Sequence, residues 1–146
     1  MPTAIYKVPI PKNEPVNSYA PGTPERASLQ AKLKEMRAQE VDAPMYIGAE
    51  EVRTGKTKPL NPPHDHQHKL GQFHEGDGSH VEQAIKAALA AKQEWADLHW
   101  QQRASVFLKA ADLISGPYRH KINAATMLGQ SKSAYQAEID SACELA

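Results

Sequence analysis

The distribution of proline is the feature that most constrains what this chain can fold into. Ten of its eleven prolines lie in residues 1–63, and only Pro117 lies beyond them. Because proline lacks a backbone N–H, it interrupts helix interiors and central strands, so long regular elements are expected mainly after residue 63. Residues 1–22 hold five prolines: Pro2, Pro9, Pro11, Pro15 and Pro21. This spacing predicts an extended arm that becomes ordered only where it lies along the surface of a partner.

On this basis the chain divides into three predicted segments. Residues 1–44 are expected to form the extended arm and a first helix, with Thr23 as its N-cap and Pro24 at its first helical position. That helix is predicted over residues 24–39, because apolar side chains recur there at helical spacing: Leu29, Leu33 and Met36.

The second segment, residues 45–78, is predicted to be a β-hairpin and loop region. Residues 45–47 and 52–54 lie on either side of Gly48 and carry strand-forming side chains, which is typical of a hairpin. A further strand is expected at residues 69–73.

The third segment, residues 79–146, is alanine-rich and is predicted to be helical. Four helices are expected from their start and stop residues. The first begins at a capping box of Ser79 and Glu82, and the second ends at Ser115 and Gly116. The third runs from Pro117 to Gly129, and the fourth begins at a capping box of Ser133 and Gln136. The last has no stop signal, so we expect the chain to be cut inside a helix of a larger protein.

Strongly hydrophobic side chains are scarce for a free-standing domain. Leu, Ile, Val and Phe together number 25 of 146 residues, or 17%, and these residues supply most of the area that a core buries. Disorder is not favoured, because 17 basic residues balance 17 acidic ones. We therefore expect a mostly α-helical chain with a small β-hairpin region, whose apolar faces pack against protein outside it.

Charge and hydropathy also exclude several classes of protein. A formal net charge of zero lacks the basic footprint of a nucleic-acid-binding protein. No apolar run approaches the roughly 18 residues of a membrane span, so no membrane partner is expected. The start of the chain shows neither a secretory signal nor a transit peptide, and a single cysteine suits a reducing compartment, so we expect a cytoplasmic protein.

Five of the seven histidines cluster in the second segment and just after it: His64, His66, His68, His74 and His80. In a strand the first three would share one face, which would be typical of a transition-metal site. No cysteine and no HExxH helix accompanies them, so a surface loop without a metal is the preferred interpretation.

No catalytic or cofactor-binding residue is evident from spacing alone. Cys143 lies on the apolar face of a helix, ten residues past its N-cap, where the helix dipole does not favour a thiolate; a buried core residue is expected. Gly76 and Gly78 form a lone pair of glycines, which predicts a turn rather than a phosphate-binding loop.

Glu144 and Asp140 form a like-charge pair at i, i+4, which is slightly unfavourable in a helix. In an α-helix Glu144 is rotated well away from Ile139 on the apolar face. From charge and phase alone, Glu144 is expected on an ordinary solvated face.

Three long runs resemble the delta-1-pyrroline-5-carboxylate dehydrogenase branch of the aldehyde dehydrogenase family. They are FLKAADLISGPYR at residues 107–119, TMLGQSK at 126–132 and QAEIDSACEL at 136–145. NEPV at 13–16, GTPER at 22–26, AIKAALAA at 84–91 and EW at 94–95 are similar to it too. The resemblance covers the chain from about residue 13, but only the N-terminal part of the family.

This resemblance implies an α/β aldehyde dehydrogenase fold in the complete enzyme, with residues 79–146 as a helical part of its NAD-binding domain. It implies NAD-dependent oxidation of L-glutamate γ-semialdehyde to L-glutamate in proline catabolism, in an enzyme that is a homo-oligomer. The catalytic cysteine and the NAD-binding residues would lie outside this chain, which would be inactive alone. By matching the last helix, Glu144 is expected to bind the α-amino group of the substrate.

Two other functions remain open from the residues themselves. A free-standing helical interaction module would use the proline-rich arm and the apolar helix faces to dock a partner. A histidine-rich metal carrier would use the histidine cluster.

Overall fold

The structure is a computed structural model that describes residue 10 and residues 12–146. Pro2, Pro9 and Pro11 of the predicted arm lie outside the described residues. The helices are α1 (Pro24–Arg37), α2 (Gly78–Asp97), α3 (Trp100–Ser115), α4 (Arg119–Gln130) and α5 (Ala134–Ala137), the last continued by a π-helix, Glu138–Cys143. The strands are β1 (Val41–Ala43), β2 (Met45–Ile47), β3 (Glu50–Val52), β4 (Thr57–Leu60) and β5 (Gly71–His74).

Helix α1 begins where its sequence signals predict and packs against α4. Thr23 is its extended N-cap and Pro24 its first residue, which confirms the predicted start, while its end at Arg37 comes two residues early. Leu29 is buried with Tyr19 and Ala124 in the main apolar cluster. The rest of the predicted stripe, Leu33 and Met36, packs against the same cluster.

The β region contains the predicted hairpin, but its second strand is Glu50–Val52 instead of 52–54, because Gly48 and Ala49 form a two-residue turn. It also contains a second sheet around the strand that was predicted at residues 69–73. Strands β2 and β3 pair antiparallel, with Met45 opposite Val52. In the second sheet β5 is central, parallel to β1 and antiparallel to β4. β5 starts two residues after the predicted strand and extends one residue beyond it. β1 and β4 were missed because β1 has three residues and β4 contains Pro59, which only an edge strand tolerates.

Several predicted helix ends are wrong by a few residues. Asp77, not Ser79, caps α2, because its carboxylate accepts hydrogen bonds from two backbone N–H groups of the first turn. Residues 116–118 form a turn, so Pro117 precedes α4 instead of opening it. α4 continues through Gly129 to Gln130, and the left-handed residue at its end is Ser131, with φ 57°.

Helices α2 and α3 expose the apolar side chains that would normally form a core. No residue of either helix is buried. The exposed set includes Val81, Ile85 and Leu89 on α2 and Val106, Phe107 and Leu108 on α3; Phe107 is 67% exposed. Exposed apolar surface of this extent marks an interface. Among the described residues, no helix is both long and apolar enough to cross a membrane.

Gly71 permits the close approach of β1 to β5. Its φ is +146°, and a Cβ built on it would lie 2.0 Å from the carbonyl oxygen of Val41. The two residues are register partners in the parallel pair. A side chain at this position would therefore push β1 away from the sheet.

We predict that Gly71→Ala destabilises the protein by roughly 2–4 kcal/mol, because it adds backbone strain and breaks the β1–β5 pair. Gly78→Ala is the matched control, since a Cβ there meets nothing within 4 Å at the first residue of α2. Urea unfolding midpoints measure both variants. Equal midpoints for the two would contradict the assigned close approach.

Candidate functional site

The C-terminal helix changes its winding immediately before Glu144. Its predicted capping box is confirmed, because Ser133 accepts from the backbone of Gln136 and the Gln136 side chain accepts from the backbone of Ser133. After Ala137 the α-helix gives way to a π-helix. The N–H of Glu144 consequently donates to the carbonyl of Ile139, five residues back, at 3.0 Å. Such π turns are rare and frequently occur at functional sites.

Glu138, at the start of the π turn, is a fully buried carboxylate. It accepts hydrogen bonds from the Tyr19 hydroxyl at 2.6 Å, from Asn123 Nδ2 at 2.7 Å and from the backbone N–H of Asn17 at 2.8 Å. Arg119 forms an ion pair with it and is itself buried. These four groups satisfy both carboxylate oxygens. A buried charge persists only with partners of this kind.

The prediction that the arm orders only along a partner is wrong for its described residues, because these contact α4 and the π turn of this chain itself. Arg119 Nη2 donates to the carbonyl of Pro15 at 2.5 Å, and its Nη1 lies 3.4 Å from a carboxylate oxygen of Glu14. Together with Asn17 and Tyr19, these contacts hold residues 14–19 against α4 and the π turn. The arm thus completes the surroundings of Glu138.

The hydrogen bonds determine the charge state of the cluster. Burial would raise the pKa of Glu138, but the donors from Arg119, Tyr19 and their neighbours outweigh it and hold that pKa below its ordinary value. Burial, and then the negative Glu138, raise the pKa of the Tyr19 hydroxyl. Glu138 is therefore ionised and Tyr19 neutral at neutral pH.

Two further contacts hold the π turn. The hydroxyls of Thr126 on α4 and Ser141 lie 2.7 Å apart. Asp140 forms an ion pair with Lys132, which offsets the predicted repulsion between Asp140 and Glu144. Because Asn123 and Thr126 are three residues apart, one face of α4 supplies both anchors.

Glu144 itself lies at the end of the π turn with its side chain exposed. The expected exposure of Glu144 is confirmed, although the helix does not keep α winding there and the N–H of Glu144 bonds to Ile139 instead of Asp140. Its role in binding substrate stays a prediction. Cys143, beside it, is half-buried, and burial raises the pKa of its thiol, which does not favour a nucleophile.

The histidine cluster does not converge on a common point. His64 contacts the Ser131 hydroxyl at 2.7 Å and His68 the carbonyl of Arg37 at 2.9 Å, both from the loop between β4 and β5. His74 lies on β5 against Asp42, and His80 belongs to the cap of α2. In the described part of the chain, no three His, Cys, Asp or Glu residues are grouped so as to hold a metal ion.

Gly76 and Gly78 do not form the predicted turn, since Gly78 is the first residue of α2, and the segment does not offer a phosphate site either. The carboxylate of Asp77 already accepts from the backbone N–H groups of Ser79 and His80. A bound phosphate would need those same donors. The residues described here therefore do not fit a dinucleotide at this helix start, and we assign none of them to a cofactor.

Sequence reasoning missed the buried cluster of Tyr19, Arg119, Asn123 and Glu138. The only available signal was the setting of Glu138, whose i−4, i+3 and i+4 neighbours are Ala134, Ser141 and Ala142. An isolated charge on a face of small residues indicates a buried, paired carboxylate.

Comparison with known proteins identifies the family to which this fold belongs. The model of the aldehyde dehydrogenase family matches residues 50–146. The chain belongs to the aldehyde dehydrogenase family. This aldehyde dehydrogenase chain is 54% identical over 144 residues to delta-1-pyrroline-5-carboxylate dehydrogenase of Agaricus bisporus, covering 98% of the chain and 26% of that relative. It is 47% identical over 133 residues to the mitochondrial enzyme of that name from Bos taurus, covering 91% of the chain and 24% of the relative.

Solved structures give the same result for the backbone of this aldehyde dehydrogenase. The Delta-pyrroline-5-carboxylate dehydrogenase from Mycobacterium tuberculosis matches 99% of the chain with a TM-score of 0.93 and 46% identity, over 27% of its own length. A structure of that protein bound with NAD matches 97% of the chain at 47% identity and TM-score 0.93, over 27% of its own chain. A point mutant of the Thermus thermophilus 1-pyrroline-5-carboxylate dehydrogenase matches 92% of the chain and 26% of its own, at 26% identity and TM-score 0.84. The chain spans about a quarter of these proteins, and the expected aldehyde dehydrogenase fold is confirmed.

We predict that Glu138→Gln lowers the free energy of unfolding by about 3 kcal/mol near pH 7, because it leaves buried Arg119 with only the longer contact to Glu14, at 3.4 Å, as a counter-charge. The pKa of Glu138 is lowered on folding, so this stabilisation is present above the unfolded pKa of about 4.3 and is lost as the pH falls through the folded value. Urea unfolding from about pH 7 to about pH 3 should show the two proteins converging in acid.

Glu51→Gln is the matched control, because Glu51 pairs with Arg53 at 2.6 Å but is half exposed. Its cost at neutral pH should stay within about 1 kcal/mol. A Glu138→Gln cost that is equally small, or that does not change with pH, would show that the buried pair does not stabilise the fold.

Proposed function

We propose that the protein containing this chain oxidises L-glutamate γ-semialdehyde, formed from 1-pyrroline-5-carboxylate, to L-glutamate with NAD, as a step in proline catabolism. The observation that carries this proposal is the match of essentially the whole chain to solved enzymes of that name at a TM-score of 0.93. Since the chain spans about a quarter of those enzymes, the activity belongs to a longer protein. This chain alone is expected to be inactive.

The chemistry divides between this chain and the remainder of that protein. NAD, when bound, accepts the hydride of the aldehyde. The described residues supply neither an activated nucleophile nor a cradle for the dinucleotide, so the catalytic cysteine and the NAD-binding residues are proposed to lie outside this chain. What this chain contributes is a carboxylate at the end of a rigid turn.

Glu144 is the residue that we propose for substrate recognition. Glutamate γ-semialdehyde carries an α-ammonium group, and a carboxylate is its natural charge-assisted partner. The exposed side chain of Glu144 is accessible to such a partner. A charge on the π turn adds specificity for an amino-aldehyde without taking part in bond making.

The exposed apolar faces of α2 and α3 support a proposal that further protein covers them. We assign those faces to the rest of the same enzyme and to a second copy of it in a homo-oligomer. No nucleic-acid or membrane partner is proposed, given the balanced charge. A cytoplasmic location stays a proposal from sequence, while several relatives are named mitochondrial.

The two other functions considered from the sequence, a helical interaction module and a histidine-rich metal carrier, gain no support. An interaction module does not account for 54% identity to a dehydrogenase across 98% of the chain. A metal carrier is not favoured, because the described histidines bind separate protein groups.

We predict that Glu144→Gln in the complete enzyme lowers kcat/KM for glutamate semialdehyde about tenfold to a hundredfold, the cost of losing a charge-assisted contact. A simple aldehyde without an amino group should lose little. Steady-state kinetics on both substrates measure the difference. Glu82→Gln is the control, since Glu82 is also exposed and lies on α2; it should change neither substrate's kinetics.

Equal losses for the two aldehydes would mean that Glu144 shapes the fold or the catalytic groups. An unchanged kcat/KM for both would return Glu144 to an ordinary solvated face. Absence of any semialdehyde oxidation by the wild-type enzyme would overturn the proposed function itself.

A further inference from the structure

The buried cluster around Glu138 lies at the base of the turn that carries Glu144. Glu138 is the first residue of the π-helix, and Glu144 is the residue that follows its last one. The carboxylate of Glu138 is held by donors from the arm and from α4, as described above. The two ends of the turn are therefore linked by the backbone of the π-helix, and the side chain at its first residue is held by four partners.

The π winding needs such anchors. A π turn forms i→i+5 hydrogen bonds in a chain that otherwise prefers i→i+4, and unfavourable backbone states persist only where their surroundings over-determine them. If the turn returned to α winding, the N–H of Glu144 would bond to Asp140 instead of Ile139. That change of one residue would swing the Glu144 side chain about the helix axis by about 100°.

Tyr19 anchors the arm to the cluster around Glu138. Its φ of 51° is unusual for a bulky side chain, and it is 6% exposed. Its hydroxyl donates to Glu138 and accepts from Asn123 Nδ2 at 2.9 Å. The Oδ1 atom of Asn123 is buried with no hydrogen-bond partner in the structure. The left-handed backbone of Tyr19 and the unpaired oxygen of Asn123 each lower the stability of the fold. The contacts that they permit converge on Glu138.

We propose that Tyr19, with Arg119 and Asn123, acts through Glu138 as a set of positioning residues that keep the π turn wound and so aim Glu144 at the substrate's ammonium group. This inference rests on the proposed function. It extends the specificity determinants from Glu144 to the N-terminal arm, more than a hundred residues away in sequence. All four residues are buried in this chain, so the role proposed for them is positional.

The test is Tyr19→Phe in the complete enzyme, which removes one hydroxyl and keeps the ring. Glu138 retains its other donors, so the fold should survive. We expect kcat/KM for glutamate semialdehyde to fall about five- to tenfold, mainly through KM, while a simple aldehyde keeps its kinetics within about twofold. Tyr46→Phe is the matched control, because its hydroxyl donates to Glu51 at 2.9 Å on an exposed hairpin; no kinetic change is expected.

A double-mutant cycle shows whether the effect passes through Glu144. If it does, Tyr19→Phe added to Glu144→Gln should cause no further loss for the semialdehyde. Additive losses, equal losses on both aldehydes, or wild-type kinetics in Tyr19→Phe would each overturn the positioning role. Those outcomes still require semialdehyde oxidation by the wild-type enzyme, so they differ from a failure of the proposed function, in which that activity is absent.

As a second anchor, Thr126→Val removes the hydroxyl contact to Ser141 without touching the Glu138 cluster. If the winding of the turn aims Glu144, this variant should show the same selective loss for the semialdehyde. If Tyr19→Phe lowers kcat/KM for the semialdehyde and Thr126→Val does not, then the winding of the π turn does not control the position of Glu144.

Discussion

A single buried carboxylate organises the C-terminal part of this chain. Glu138 is fully buried, and the groups that compensate its charge come from an extended arm, from α4 and from the turn that contains it. Removing any one element would leave charged or polar groups in the interior without partners. The ion pair with Arg119 thus makes the ordering of the arm and the winding of the π turn depend on each other.

The rest of the described fold is held by a few helix and strand contacts, with little apolar core. α1 packs on α4 through Leu29, and β5 holds β1 and β4 together. The exposed faces of α2 and α3 have no counterpart within the described residues. The chain spans about a quarter of the dehydrogenases that it matches, and the proposed function accounts for these faces, because the remainder of a longer enzyme would cover them.

Under the proposed function, residues of this chain affect substrate specificity without taking part in bond making. Nucleophile and cofactor chemistry require groups that these residues do not supply. Discrimination between an amino-aldehyde and a simple aldehyde requires only one charge held in the right place. The proposed role of Glu144 is of that kind, and the proposed role of the polar cluster around Glu138 is to hold the turn that carries it.

The sequence by itself determined the helices with strong local signals and the family. Thr23 and Pro24 start α1, Ser133 and Gln136 cap α5, and Gly48 marks the hairpin, because each acts on neighbours within a few residues. Tertiary structure decided the rest. β1 and β4 exist only as partners of β5, and Glu138 is buried only because Arg119 and Tyr19 reach it from distant positions. The π turn, which no local pattern signals, follows from those long-range contacts.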